Sequence, residues 1–233
     1  MNEWMALGLT FGIALLWLRV NDYLAYRGWV SSSLSRKIIH LGTGPIFVLC
    51  WLFFPNTPLS KWLAALVPLL ITLQFFLVGT GWIRDPQAVS AMSRTGDRRE
   101  ILRGPLYYGV VFVLLTLIFW KDSPIGVVAL MILSGGDGLA DIIGKRFPSS
   151  SLAWSPRKTV WGSLSVFVGG VFFSILVLSV FRLLGVFQFE WWDTFLKVVG
   201  IGIAATVVES LPFQDIDNLT VPLVSVFLGY FLF

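Results

Sequence analysis

The chain has 233 residues, of which 56% are hydrophobic and only 13% are charged. A water-soluble domain carries about 25% charged residues, so this composition argues against a soluble protein and the apolar excess is expected to face lipid. The single cysteine, Cys50, excludes an intramolecular disulfide, and the net charge of +4 gives no indication of nucleic-acid binding.

Eight apolar runs predict an all-α, polytopic integral membrane protein, organised as one membrane domain over residues 1–233. A helix needs about 20 apolar residues to cross a bilayer. The last run has only 13 residues, so seven spans remain the alternative to eight. The first run lacks a basic leader, which favours a retained helix over a signal peptide. In chain order the runs are 4–20, 38–54, 62–83, 105–120, 124–144, 162–184, 194–211 and 221–233.

The distribution of basic residues predicts the orientation in the membrane. Of the 17 Lys and Arg residues, 13 lie in or beside the first, third and fifth loops. Loops rich in Lys and Arg stay on the side from which the protein is inserted. We therefore expect these loops on the cytoplasmic (or stromal) face and the N-terminus outside or in a lumen.

Two aspartates in the fifth run carry the strongest indication of chemistry. Asp137 and Asp141 lie four residues apart and would share a helix face, where they would repel each other without a cation between them. Mg²⁺ binds through one or two carboxylates plus phosphate oxygens. Gly136 and Gly138 allow close approach of a backbone or ligand, and Lys145 follows one turn later, so these three residues are also candidates for binding the nucleotide. We interpret Asp137, Asp141 and Lys145 as catalytic candidates; the alternative is a solvated helix end.

A second cluster, about 20 residues later in the same loop, resembles a phosphate-binding segment. Lys158 and Thr159 precede a helix that begins near Gly162 and Ser163. A lysine, hydroxyls and a glycine at a helix N-terminus are suited to binding phosphate oxygens. The alternative is that the basic residues only reflect the orientation of the loop.

Two further charged segments are candidate substrate contacts. Arg36, Lys37 and the only histidine, His40, lie at the start of the second run, where they could contact a lipid or a phosphate. His40 is also a catalytic candidate, since either it or one of the carboxylates could act as the base. Glu100 and Arg103 precede the fourth run and could orient the substrate. The alternatives are a structural histidine and arginines that anchor anionic headgroups.

The seventh loop is acidic on a face that is otherwise basic. It contains Glu209 and Asp217 and no Lys or Arg. Metal coordination would explain such a loop, and a solvated turn is the alternative. All five clusters fall on the same membrane face, as expected for an enzyme that takes Mg²⁺ and a nucleotide from water and an apolar substrate from the bilayer.

These segments resemble the phytol kinase and dolichol kinase family, which is related to the CDP-diacylglycerol synthases. Tyr107-Tyr108 after Gly104-Pro105 is closer to the phytol kinase branch. The resemblance extends over residues 36–222, with its motifs in family order. The motifs are Arg36-Lys37-Ile38-Ile39-His40, Glu100 to Tyr108, Gly136 to Gly144, Lys158-Thr159 with Gly162-Ser163, and Glu209-Ser210 with Asp217-Asn218.

The resemblance implies a lipid kinase that moves the γ-phosphate of CTP to an isoprenoid alcohol, and the phytol kinase branch implies phytol as that alcohol. In that mechanism Mg²⁺ is held by Asp137 and Asp141, with Glu209 and Asp217 as further ligands. Trp161 replaces a glutamate that the related enzymes carry, which excludes a carboxylate role there. A CDP-lipid-forming cytidylyltransferase and an ion-coupled transporter are the alternatives. The oligomeric state is not predicted.

Overall fold

The computed structural model describes residues 1–147, 149–212 and 216–233, apart from the side chains of Asp141 and Lys145. Within these residues the chain forms α-helices, two short 3-10 helices (Trp51–Phe53 and Arg98–Leu102), a π-helical turn (Ile132–Gly136) and one small antiparallel sheet of two strands. The elements are α1 (Glu3–Tyr26), α2 (Ser32–Cys50), α3 (Pro58–Thr80), α4 (Pro86–Met92), α5 (Gly104–Phe119), α6 (Pro124–Met131), α7 (Asp137–Arg146), β1 (Ser151–Leu152), β2 (Ser155–Thr159), α8 (Val160–Leu183), α9 (Trp191–Glu209) and α10 (Asp217–Leu232).

The prediction of an all-α polytopic membrane protein is confirmed. Seven helical stretches within the described residues are long and apolar enough to cross a bilayer. The eighth, α10, has 16 residues and a length of about 24 Å, slightly less than the hydrocarbon core, so its crossing stays a prediction. The seven are Glu3–Tyr26, Ser32–Phe53, Pro58–Thr80, Arg98–Phe119, Pro124–Gly144, Val160–Leu183 and Trp191–Glu209.

Several helices extend beyond the predicted runs. Helix α1 continues to Tyr26, six residues past the predicted end at Val20, and α2 begins at Ser32 rather than at Ile38. Hydropathy reports the part of a helix that lies in lipid, whereas backbone hydrogen bonding continues into polar residues at the interface. The apolar runs therefore located the helices correctly but underestimated the lengths of α1 and α2.

Packing divides the described chain into two compact units. The first consists of Met1–Ile39 and Cys50–Ile118, and the second of His40–Leu49 and Phe119–Phe233. The prediction of one membrane domain over the whole chain stays a prediction.

In the first unit, α1 packs against α3 and α4. Asp85 caps α4 by accepting from the Ala88 N–H at 3.0 Å, and Pro86 follows at the first helical position, where its missing N–H has no consequence. Arg19 of α1 donates to the Asp85 carboxylate at 2.9 Å, so α1 is tied to the start of α4. The buried core of this unit is Leu18, Ala25, Ile39, Phe75, Val78, Ala91, Met92 and Ile101.

In the second unit, α8 has one face toward the protein and one toward lipid. Large apolar side chains are exposed at every fourth position of the helix, as expected for a lipid-facing stripe. The opposite face is buried against α6, α7 and α9, and α10 packs on α9 and α6. The exposed stripe is Leu164, Val168, Phe172 and Leu176.

Gly169 lets the backbone of α8 come into direct contact with the backbone just before α7. A Cβ at this position would lie 2.5 Å from the carbonyl oxygen of Gly135 and 2.7 Å from Leu139 Cδ1. We expect Gly169→Ala to destabilise the protein by about 1–3 kcal/mol, because the backbone of Gly135 cannot yield as a flexible side chain would. Thermal unfolding in detergent measures the effect.

Gly200→Ala is the matched control, because Gly200 also lies inside a helix but a Cβ there would meet no atom within 4 Å. It should be neutral or stabilising by about 0.5–1 kcal/mol, since alanine loses less conformational entropy than glycine in a helix. Equal effects of the two substitutions would contradict the packing role of Gly169.

Candidate active site

Polar side chains of the second unit gather where several of its elements begin or end. Asp137 is the first residue of α7, Glu209 the last of α9 and Asp217 the first of α10. Lys158 lies on β2, just before α8, and His40 lies in α2. Residues from five separate segments thus contribute to one candidate site.

A π-helical turn, Ile132–Gly136, places Asp137 in the site. Such turns are rare and are frequently found at functional sites, because the extra residue changes which side chains face inward. The turn fits against α8 only because it ends in glycines. A Cβ on Gly136 would lie 2.9 Å from the Val166 carbonyl oxygen, and one on Gly135 would lie 3.0 Å from that of Gly169.

Helix α2 brings the histidine to the same place. A Cβ on Gly138 would lie 3.0 Å from the Leu41 Cα, so glycine is needed for α2 to pack this closely. The neighbouring His40 then places its Nε2 3.3 Å from Asp137 Oδ2. The glycines at 136 and 138 therefore hold helices together here, and their predicted contact with a nucleotide stays a prediction.

Three carboxylates form a group able to bind a metal ion. Oxygen atoms of Asp137, Glu209 and Asp217 all lie within 4.8 Å of one another. Ligand oxygens around one Mg²⁺ lie up to about 4 Å apart, so a small side-chain adjustment would suffice. Glu209 Oε2 is also buried and makes no hydrogen bond within the described part of the chain. A cation would satisfy that oxygen, so the residues present fit the predicted metal.

Lys158 balances part of this negative charge. Its ammonium pairs with the buried Glu209 carboxylate and lies 3.5 Å from Asp217 Oδ2. Burial by itself lowers the pKa of Lys158, but the charges of Glu209, Asp217 and Asp137 and the hydrogen bond to Glu209 outweigh it, so the pKa lies above its ordinary value. Lys158 is therefore charged, and its ammonium is shared between two carboxylates of the described group, Glu209 and Asp217.

The residues after Lys158 start helix α8. Thr159 is its N-cap, with Oγ1 accepting from the Gly162 N–H at 3.1 Å. The Ser163 hydroxyl is buried and has no hydrogen-bond partner among the side chains and backbone groups that the structure describes, which exclude the Asp141 and Lys145 side chains. A buried hydroxyl without a partner is costly, and a bound phosphate would satisfy it. Gly162 packs beside Gly144, where a Cβ on Gly144 would lie 3.3 Å from the Gly162 Cα.

Two predicted catalytic residues fall outside what the structure describes. Asp141 and Lys145 both lie in α7, but their side chains are not among the described ones. Their predicted roles as a metal ligand and as phosphate-binding groups stay predictions.

The other predicted substrate contacts belong to the first unit. Glu100 accepts hydrogen bonds from the Arg94 N–H and, at 2.9 Å, from the Thr95 hydroxyl. It therefore organises its own loop, a role that the sequence did not indicate. Arg36 and Lys37 lie in α2, with Lys37 buried, whereas Arg103 is exposed. Their roles in binding a substrate stay predictions.

One residue beside the site was left out of the predicted set. Asn218 follows Asp217 in the first turn of α10, is only 8% exposed, and its Oδ1 has no hydrogen-bond partner among the described residues. The Asp217-Asn218 pair, which is one of the family motifs, could have identified this residue from the sequence. Trp161, which replaces the glutamate of related enzymes, is about half exposed, and its backbone N–H donates to Ser149 Oγ at 3.3 Å.

Comparison with known proteins identifies the family. No family model matches the chain, and no solved structure matches it. "Probable phytol kinase, chloroplastic" of Triticum aestivum is 41% identical, over 93% of this chain and 73% of the relative. "Probable phytol kinase 1, chloroplastic" of Glycine max is 39% identical over 95% and 74%, and "Phytol kinase 1, chloroplastic" of Arabidopsis thaliana is 37% identical over 91% and 70%. The chain belongs to the phytol kinase family.

Proposed function

We propose that this protein is a phytol kinase that transfers the γ-phosphate of CTP to the hydroxyl of phytol, giving phytyl phosphate and CDP. The observation that carries the proposal is the convergence of Asp137, Glu209 and Asp217 on Lys158, in a chain that shares about two fifths of its residues with proteins named phytol kinase. Such a site combines groups for a metal ion and for phosphate, and phosphoryl transfer depends mainly on positioning and charge stabilisation.

The acidic residues would hold Mg²⁺. Asp137, Glu209 and Asp217 supply oxygen ligands, with Asp141 as a further candidate, and the bound ion would neutralise charge on the triphosphate. Glu209 supports this assignment most directly, because one of its buried oxygens has no partner among the described residues.

Lys158 and Ser163 bind the phosphates in this proposal. The Lys158 ammonium stabilises the charge that moves toward the leaving phosphate, and the buried Ser163 hydroxyl donates to a phosphate oxygen. Thr159 caps α8 by accepting from the Gly162 N–H, which fixes the start of the helix and the position of Ser163, the next residue. Lys145 is a further phosphate-binding candidate.

In the reaction the phytol oxygen forms a bond to the γ-phosphorus while the bond from that phosphorus to the β-phosphate oxygen breaks. The hydroxyl proton passes to a base in the site. His40 and the Asp137 carboxylate are the two candidates. His40 Nε2 lies 3.3 Å from Asp137 Oδ2, so either group could accept the proton of the same substrate hydroxyl.

The position of the site at the ends of helices suits an amphiphilic substrate. The isoprenoid tail would lie among the apolar helices of the bilayer, while its hydroxyl reaches the polar residues at their ends. The excess of Lys and Arg in the first, third and fifth loops supports an active site that opens to the cytoplasmic or stromal face, with the N-terminus on the other side.

Product analysis tests the proposal. Purified protein in lipid nanodiscs is incubated with Mg²⁺, with phytol or shorter and longer prenols, and with each of the four nucleoside triphosphates labelled at the γ-phosphate. We expect the label to move to phytol and CTP to be the best donor. Release of the label in pyrophosphate would instead show a cytidylyltransferase, and ion flux without nucleotide consumption would show a transporter. Either result would contradict the proposal.

A further inference from the structure

The two strands β1 and β2 form a short hairpin that carries Lys158. Ser151 pairs with Thr159 and Leu152 with Ser155, with an irregularity in the register between them. An isolated two-stranded hairpin is at best marginally stable, so its position depends on contacts outside itself. Lys158 has a long and flexible side chain, and its location in the site depends on where the hairpin is held.

Two contacts join this hairpin to the end of α9. Lys158 pairs with Glu209, and the Trp154 indole N–H donates to Ser210 Oγ at 3.2 Å. Glu209 and Ser210 are adjacent in the chain, and Trp154 lies in the hairpin turn, four residues before Lys158. The turn and the second strand of the hairpin therefore contact two consecutive residues, Ser210 and Glu209 respectively.

The Ser210 hydroxyl is oriented to receive the indole. Its Oγ–H donates to the Val207 carbonyl oxygen at 2.7 Å, within the last turn of α9, which leaves an oxygen lone pair for the Trp154 N–H. The hydrogen bonds therefore run in one direction, from indole to hydroxyl to carbonyl. Ser210 is also the C-cap residue of α9, so its position is fixed by the helix that ends at Glu209.

We propose that Trp154 and Ser210 are positioning residues, whose hydrogen bond holds the hairpin so that Lys158 stays beside the acidic cluster. The ion pair alone cannot serve this purpose throughout the reaction, because the ammonium is also needed by the phosphates. The indole–hydroxyl bond has no part in the chemistry and can persist throughout. The kinetic consequence of this inference rests on the proposed function, whereas the anchoring of the hairpin does not.

The alternative role for Trp154 is that of an interfacial anchor. The residue is 59% exposed, and tryptophans are common at membrane surfaces, where the ring lies among the headgroups. Trp154→Phe separates the two roles, because phenylalanine retains an apolar ring but has no N–H donor. Trp192→Phe is the matched control: Trp192 is also exposed, but lies at the other end of α9 and outside the site.

Kinetics with saturating phytol provide the first test. We expect Trp154→Phe and Ser210→Ala each to raise the KM for the nucleotide about two- to tenfold, the range that one hydrogen bond accounts for. The kcat should change by less than about twofold, because the nucleotide binds only to molecules whose hairpin is in the correct position. A smaller fraction of such molecules raises KM but leaves the rate of the bound complex unchanged. The double variant should be no worse than either single variant. Ser210→Thr, which keeps the hydroxyl, should stay close to wild type.

Hydrogen–deuterium exchange gives a second measurement that needs no activity. The hairpin, residues 151–159, should exchange faster in Trp154→Phe and Ser210→Ala, while α8 and α9 exchange at the wild-type rate. In Trp192→Phe the hairpin should exchange as in wild type. Unchanged exchange together with unchanged KM would overturn the inference, as would additive effects in the double variant. A wild-type protein without kinase activity would contradict the proposed function instead, and the exchange result would still decide the anchoring.

Discussion

Asp137→Asn is expected to abolish transfer of phosphate to phytol, with a loss of about a thousandfold or more, the scale found when a group that stabilises transition-state charge is removed. Asparagine has nearly the same shape, so the π-turn and the packing of Gly136 and Gly138 should persist. The substitution removes the negative charge from the group formed with Glu209 and Asp217, and it also changes the partner of His40.

The measurement is the initial rate of formation of labelled phytyl phosphate by variants purified in the same detergent, with membrane insertion and thermal unfolding recorded for each. Asp193→Asn is the control. Asp193 lies in the first turn of α9, is 58% exposed at its side chain, and pairs with Lys197 at 2.6 Å. We expect its rate to equal that of wild type. Turnover by Asp137→Asn at the wild-type rate would rule out the role assigned to this carboxylate.

Lys158→Met is expected to affect both stability and activity. The Glu209 side chain is only 4% exposed, and removing its partner leaves a buried carboxylate close to two others. Breaking a buried ion pair from one side typically costs about 3–5 kcal/mol. Methionine fills most of the space of the lysine stem, so the loss should come from the charge rather than from packing. Thermal unfolding measured without divalent cations, together with the kinase rate, tests this expectation.

Two comparison variants separate charge from general damage. Adding Glu209→Gln to Lys158→Met removes the unpaired carboxylate, so part of the lost stability should return while activity stays absent. Lys197→Met breaks the exposed pair with Asp193 at the other end of α9 and should cost less than about 1 kcal/mol. If Lys158→Met were no less stable than Lys197→Met, the structural importance of the buried pair would be disproved.

The membrane architecture could be predicted from the sequence because its physical cause is local. A bilayer requires about 20 consecutive apolar residues with all backbone groups bonded inside the helix, and each such run is visible without knowledge of its neighbours. Every predicted run lies on a helix of the structure, including the short one at 221–233. The helix ends were less predictable, since polar residues such as those after Val20 can continue a helix at the interface.

A glycine in the sequence can be explained in two ways, by a bound ligand or by a closely packed helix. The sequence left open whether Gly136 and Gly138 admit a backbone or a ligand, and the structure shows α8 packed against Gly136 and α2 against Gly138. A missing side chain admits a ligand and a neighbouring backbone equally well, so the sequence could not distinguish between them. Glu100 is a similar case, because its hydrogen bonds to the loop at 94–95 depend on a fold of the loop that composition does not reveal.

By itself, the sequence determined the number and order of the apolar helices and which polar residues had to leave lipid, because the cost of burying charge in a bilayer acts on each segment separately. Only the tertiary structure decided which of these residues meet. Lys158 and Glu209 are 51 positions apart, and Trp154 and Ser210 are 56 apart. Their pairing depends on how α8, α9 and the hairpin pack, and packing is a property of several segments at once.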